Sequence, residues 1–193
     1  MNLAIKIIIF LFLMVKSLPA DSATLEGKVE VPGKGSSENI VVYVEGLKGT
    51  YSLPKKRSQM NHVNLQFKPG VLAIMKGSTV DFPNSDAVFH SGFSISKANP
   101  FDLGIYGQGT EKFVYFKNPG LDELFCHIHS HMHAYVLSLD NPFFAITDKD
   151  GSYTISDIPE GNYTVQAWAS PTVNMKKEIR VKDSTTLNYK LLP

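Results

Sequence analysis

Nowhere in this chain do apolar residues recur at the three-to-four-residue spacing of a sustained helix, and no other feature restricts the fold as much. What recurs instead is a short run of β-branched and aromatic residues closed by Gly, Pro, Asn or Asp. "TLEGKVEV" (24–31) and "NIVVYVEG" (39–46) read as strands. "VLAIMKGSTVDFPN" (71–84) reads as two strands turning at Lys76 and Gly77, and "TEKFVYFKNPG" (110–120) as a strand ending in a turn. "DELFCHI" (122–128) and "HAYVLSLD" (133–140) read as strands flanking a histidine-rich segment. "SYTISDIPEGNYTVQAWAS" (152–170) predicts a hairpin-like pair turning at Pro159, Glu160 and Gly161, with "KKEIRV" and "TLNYKLL" closing the chain. An all-β fold is the expectation.

The N-terminal residues follow another pattern. Lys6 precedes an apolar run from Ile7 to Val15, and the small residues Ala20 and Ala23 offer cleavage points. Residues 1–20 therefore read as a secretory signal peptide, which leaves no membrane span in the mature chain and predicts a periplasmic or secreted protein. The formal net charge is +1, with no long basic or acidic tail, so nucleic acid is not an expected partner. Export bears on Cys126, the only cysteine. It has no internal disulfide partner, and a free thiol in an oxidising compartment needs burial or a metal to protect it.

Two places hold candidate metal ligands. One is "VDFPNSDAVFHSGFS" (80–94), centred on His90. The other is "CHIHSHMH" (126–133), where Cys126, His129 and Met132 are spaced C-x2-H-x2-M. Thiolate suits Cu(I), imidazole serves both Cu(I) and Cu(II), and a thioether can sit far off as a weak axial ligand. Zinc shares the Cys and His preference, but Met is a poor zinc ligand. A binuclear centre bridged by two thiolates would need a second cysteine, which the chain lacks.

Residues 60–140 resemble a cupredoxin, in particular the cupredoxin-like proteins associated with methylamine utilisation. The resemblance is carried by "QFKPGVLAIMKGSTVDFPNSD", "FHSGFS", "FDLGIYGQGT" and "CHIHSHMHAYV", the last with a short ligand loop similar to that of amicyanin. It implies a Greek-key sandwich holding one type 1 copper through His90, Cys126, His129 and Met132. Two positions depart from the family pattern. Ser91 stands where Asn is usual and Ser130 where Pro is usual, and both imply a looser site. The segment "FFAITDKDGSYTISDIPEGNYTVQAWAS" resembles the carboxypeptidase regulatory-like family, a small transthyretin-like β-sandwich. That family opens with strands of the form found here in "LEGKVEV" and "NIVVYVEG". The expected organisation is therefore a discontinuous sandwich of 24–50 and 141–193 around the copper module, the alternative being two domains in tandem.

His127, His131 and His133 are surplus to the four ligands. They read either as solvated rim or as a weaker second metal site. His62 reads as a surface or strand-end residue, Met60 and Met75 as core. No catalytic Ser/His/Asp order, carboxylate pair or phosphate loop is recognisable. The expectation is a copper protein that is not an enzyme and carries single electrons between periplasmic redox proteins. The alternative is copper delivery or storage, with the surplus histidines as a relay.

Overall fold

The computed structural model describes residues 22–33 and 36–192, so the expected signal peptide at 1–20 lies outside the described residues. The described chain is all-β. Its strands are β1 (Ser22–Glu30), β2 (Val41–Glu45), β3 (Ser58–Gln59), β4 (Asn61–His62), β5 (Phe67–Lys68), β6 (Val71–Met75), β7 (Ser78–Pro83), β8 (His90–Ser94) and β9 (Phe101–Tyr106). They continue as β10 (Glu111–Phe116), β11 (Gly120–Phe125), β12 (His133–Leu139), β13 (Phe144–Ile146), β14 (Ser152–Pro159), β15 (Gly161–Trp168), β16 (Asn174–Val181), β17 (Ser184–Thr186) and β18 (Tyr189–Lys190). Among the described residues no helix is long and apolar enough to cross a membrane.

Four sheets stack as layers with an apolar cluster at each contact. The first layer runs β14-β1-β17, with β18 also on β1, and the second β13-β2-β15-β16. Between them lie Leu25, Val29, Val42, Val44, Ile155, Val165 and Tyr189. The third layer runs β6-β12-β11-β8-β9 and the fourth β10-β7-β3, enclosing Met60, Leu72, Ile74, Val80, Phe82, Phe116, Leu124 and Val136. Val41, Ala73, Leu137 and Trp168 join the second layer to the third. Trp168 meets Tyr135 edge-on, with ring centroids 5.2 Å apart at 80°.

This layering explains the unbroken apolar run "IVVYV" at 40–44. Successive side chains of a strand point to opposite faces. Val42 and Val44 therefore enter the first cluster, while Val41 and Tyr43 enter the cluster against β6 and β12. The same alternation sends Val136 inward and Tyr135 and Leu137 toward Trp168. The turn expected at Lys76 and Gly77 joins β6 to β7, with Gly77 at φ 83° as such a reversal requires. Met60 and Met75 are core residues.

One local expectation fails. Residues 152–170 form two strands, but they do not pair as a hairpin. β14 pairs with β1, whereas β15 pairs with β2 and β16, so the chain changes sheets at Glu160. Tyr153 and Ile155, like Val165 and Ala167, point into the space between those sheets. The alternation in the sequence is real, but it reports a shared core rather than a shared ladder.

β1 lies between β14 and β17, and β2 lies between β13 and β15. The strands before residue 50 are thus the central strands of sheets otherwise built after residue 141. A fragment of 141–193 would expose two sheet edges and an apolar face. It is expected to show no cooperative unfolding transition, while adding a 22–50 peptide in trans should restore strand circular dichroism. A stable 141–193 fragment would mean that β1 and β2 are dispensable.

Candidate metal centre

The loop from 126 to 132 joins β11 to β12, and β11 lies beside β8. Phe125 pairs with Phe93 in an antiparallel register, which places residue 90 opposite the loop and brings His90 beside Cys126 and His129. His90 Nδ1 and His129 Nδ1 are 3.2 Å apart, and Cys126 Sγ is 3.9 Å from His129 Nδ1. The three donor atoms all lie within 4.8 Å of one another. One ion at ordinary Cys and His ligand distances, about 2.0–2.3 Å, reaches all three. His90 and Cys126 are buried, whereas His129 is half-buried. Met132 is buried in the same core cluster as Cys126, directly before β12, and its N–H donates to the His129 carbonyl at 3.0 Å. The structure thus gathers His90, Cys126 and His129 and keeps Met132 in the enclosing core.

Each donor is held from behind. Ser91 is wholly buried, and its N–H and Oγ–H donate to Cys126 Sγ at 3.5 and 3.7 Å. The same Oγ accepts the N–H of His127 at 2.8 Å. Ser91 is thus a direct tie between β8 and the loop from 126 to 132, made through its own N–H and hydroxyl. Burial pushes the Cys126 thiol up, but the hydrogen bonds from Ser91, His129 and Ile128 outweigh it and bring the pKa from 9.0 down to about 6.

His90 Nε2 lies 2.8 Å from Asp86 Oδ2. Asp86 also accepts the N–H groups of Asn64 at 2.7 Å and Leu65 at 2.9 Å. Those two residues have φ of 55° and 57°, a turn whose successive N–H groups cradle the carboxylate. Burial acts to raise the Asp86 pKa, but these three contacts prevail and hold it below the ordinary value. Asn84 shapes the loop leading to His90. Its Oδ1 accepts the Asp86 N–H at 3.0 Å, an Asx turn, while its Nδ2 donates to Val88 at 2.9 Å and Tyr106 at 3.1 Å. The "FPNSD" stretch is therefore a built turn that delivers Asp86 to the back of His90.

His62 corrects the sequence expectation. It ends β4 but is fully buried, its ring stacked on His90 with centroids 4.9 Å apart at 19°. Burial lowers its pKa against backbone contacts that raise it. No periodicity could have exposed this, because β4 is only two residues long and its burial comes from Phe67 on β5 and from β7, β8 and β9.

The surplus histidines take separate partners. His127 is stacked on Phe93, with centroids 3.9 Å apart at 5°, and its Nε2 lies 3.1 Å from Asp102 Oδ2. His131 Nε2 lies 3.2 Å from the Leu65 carbonyl, and His133 Nε2 2.7 Å from Glu123 Oε1. Among the described residues, the one group of three or more metal-ligating side chains is His90, Cys126 and His129.

No family model matches the chain, and no curated protein matches it. Solved structures do show partial likeness. A purple cupredoxin from Nitrosopumilus maritimus is 22% identical, with a TM-score of 0.38, over 42% of this chain and 98% of that one. A copper-containing nitrite reductase from Thermus scotoductus is 21% identical, with a TM-score of 0.43, over 58% of this chain and 28% of that one. A Cu(I) form of an amicyanin mutant is 12% identical, with a TM-score of 0.41, over 50% of this chain and 97% of that one. The residues of this chain, not these partial likenesses, carry its functional reading.

Because Cys126 is the only cysteine, its thiolate absorbance can be followed alone. In the metal-free protein the absorbance is expected to titrate near pH 6. Ser91→Ala should move that midpoint upward and cost about 1 kcal/mol of stability for the lost hydrogen bonds. The folded protein holds this proton more weakly than the unfolded chain. Metal-free stability should therefore fall as pH drops from about 9 toward 6 and level off outside that window. A midpoint near 9 in both proteins would show that Ser91 does not act on the sulfur.

Proposed function

We propose that this chain is an exported, cupredoxin-like protein that holds one copper through His90, Cys126, His129 and Met132 and carries single electrons between periplasmic redox proteins. One observation carries the reading. Two imidazole Nδ1 atoms and a low-pKa sulfur, from elements far apart in sequence, face one another in a desolvated pocket. That donor set suits copper in both oxidation states, and the copper supplies a one-electron couple when bound. The residues supply the rest. Cys126 offers a thiolate near neutral pH, His90 is clamped from behind by Asp86, and His129 carries the site toward solvent. Fixed ligands of this kind need little rearrangement when the charge on the metal changes.

The surface agrees with a docking role for this end. Val88, Phe89, Ile105 and Ile128 are exposed, and each lies beside a site residue in sequence or in register. A redox partner placed there would meet His129 across a short apolar contact. Were Met132 to join His90, Cys126 and His129 in holding the copper, the chain would supply four ligands and leave little room for a substrate, so the protein is read as a carrier and not an enzyme. The strands flanking the copper module in sequence form the scaffold, a transthyretin-like sandwich into which residues 60–140 are inserted.

The experiment is Cu(II) titration of the mature protein with optical and paramagnetic-resonance spectra. One equivalent should give an intense visible thiolate-to-copper band. Cys126→Ser should abolish it, His90→Ala or His129→Ala should weaken binding sharply, and Met132→Leu should keep the copper and raise the potential. An unchanged spectrum in Cys126→Ser would end this assignment.

Delivery or storage is the competing role, and it would need the surplus histidines. Their separate partners give them no common focus. A triple His127→Ala/His131→Ala/His133→Ala variant is expected to match the wild type in copper stoichiometry and in transfer rate to a chelator. A second, weaker copper lost in the variant would favour delivery.

A further inference from the structure

We propose that His62 is a positioning residue for the metal centre, fixing the plane of the His90 ring before any metal arrives. The inference rests on the reading of His90 as a ligand. His62 and His90 are both fully buried, and their rings stack with centroids 4.9 Å apart at 19°. The remaining faces and edges of His62 are also engaged. Its Nδ1 lies 3.1 Å from the Pro83 carbonyl at the end of β7 and 3.2 Å from Tyr106 Oη on β9. Its Nε2 lies 3.3 Å from the carbonyl of Ser91 on β8, the residue after His90. Tyr106 Oη donates to the Phe82 carbonyl at 3.1 Å, so its oxygen faces the His62 ring as an acceptor. The Phe67 ring packs at 4.9 Å and 53°. A backbone bridge between His62 and Asn84 anchors the same residue to the loop that delivers Asp86.

A histidine that merely filled core space would need none of this. Phe or Leu would pack as well, but neither brings a ring N–H within hydrogen-bond reach of a carbonyl on β7 or β8. The contacts divide the freedom of His90 between two partners. Asp86 takes Nε2 and fixes the rotation of the ring about its own normal. His62 covers one face and opposes tilting, and its backbone bridge to Asn84 ties it to the loop that leads to His90. Nδ1 is the nitrogen left facing His129 and Cys126. Outer groups that hold a ligating imidazole typically change metal affinity 10–100-fold when removed.

The test compares His62→Leu, which removes the ring and its nitrogens, with His62→Phe, which keeps a ring for stacking. In the metal-free proteins, NMR of the His90 ring should show one narrow set of signals in the wild type. His62→Leu should give broadened or doubled signals, and His62→Phe an intermediate case. In the loaded proteins, His62→Leu should bind Cu(II) about 10–100-fold more weakly and alter the copper hyperfine splitting, with partial rescue in His62→Phe. The metal-free arm does not depend on copper. A wild type with no thiolate-to-copper band would end the copper reading alone. A folded His62→Leu with unaltered His90 signals would overturn the positioning role. Loss of fold in both variants would also overturn it, in favour of packing.

Discussion

The centre depends on satisfying the buried donors of His90 and Cys126 while leaving them free to face the half-buried His129. Polar groups withdrawn from water are costly unless they are hydrogen-bonded. Donors for a metal cannot spend their lone pairs on each other without closing the site. This chain places the compensating bonds on the far sides. Asp86 takes His90 at Nε2, and Ser91 supports Cys126 from its N–H and its hydroxyl. Asp86 is in turn held by the N–H groups of Asn64 and Leu65, so the chain of support ends in backbone. The pocket is therefore supported from behind, while the His90 and His129 Nδ1 atoms meet across it at 3.2 Å.

Those bonds need a rigid frame, and the layered architecture supplies one. The third layer, which carries β8, β11 and β12, is packed on both faces near β12. Trp168 and Tyr135 lock it to the second layer, so the ligand loop hangs from a strand that cannot tilt alone. The second layer has β2 among its internal strands, and β2 comes from before residue 50. Chain order and spatial order thus cross, so the segment that carries His90, Cys126 and His129 runs between strands that pair with one another. Closure at both ends by paired strands limits the conformations open to it.

The sequence revealed the centre unevenly. C-x2-H-x2-M was legible because soft donors seldom gather by chance and because strands flanking a short loop must bring its ends together. His90 was legible as a candidate from its own stretch, but its place beside Cys126 and His129 followed only from resemblance. β8 is rich in Ser and Gly, and the alternation of Phe101, Leu103 and Ile105 in β9 does not report which strand it pairs with. β14 and β15 were legible as strands but not in their pairing. Alternation reports which face is buried, not which neighbour bonds to which strand, and Glu160 is where the chain leaves one sheet for the other. His62 was not legible at all. Its segment "MNHVN" is short, and apart from Phe67 the contacts that bury it come from elements 20 or more positions away.

The surplus histidines stand the other way round, clustered in sequence but apart in space. Four imidazoles within seven positions look like one cluster. The loop from 126 to 132 reverses direction, however, and a reversal aims neighbouring side chains outward on different sides. His127 follows β11 and lies against Phe93 and Asp102, His131 reaches Leu65 at the turn that cradles Asp86, and His133 opens β12 beside Glu123. Two of the three meet a carboxylate and the third a carbonyl, so each has a local reason to be an imidazole. The loop that converges Cys126 and His129 inward is the same one that disperses the others, because side chains that share a tight loop cannot all point to its inside.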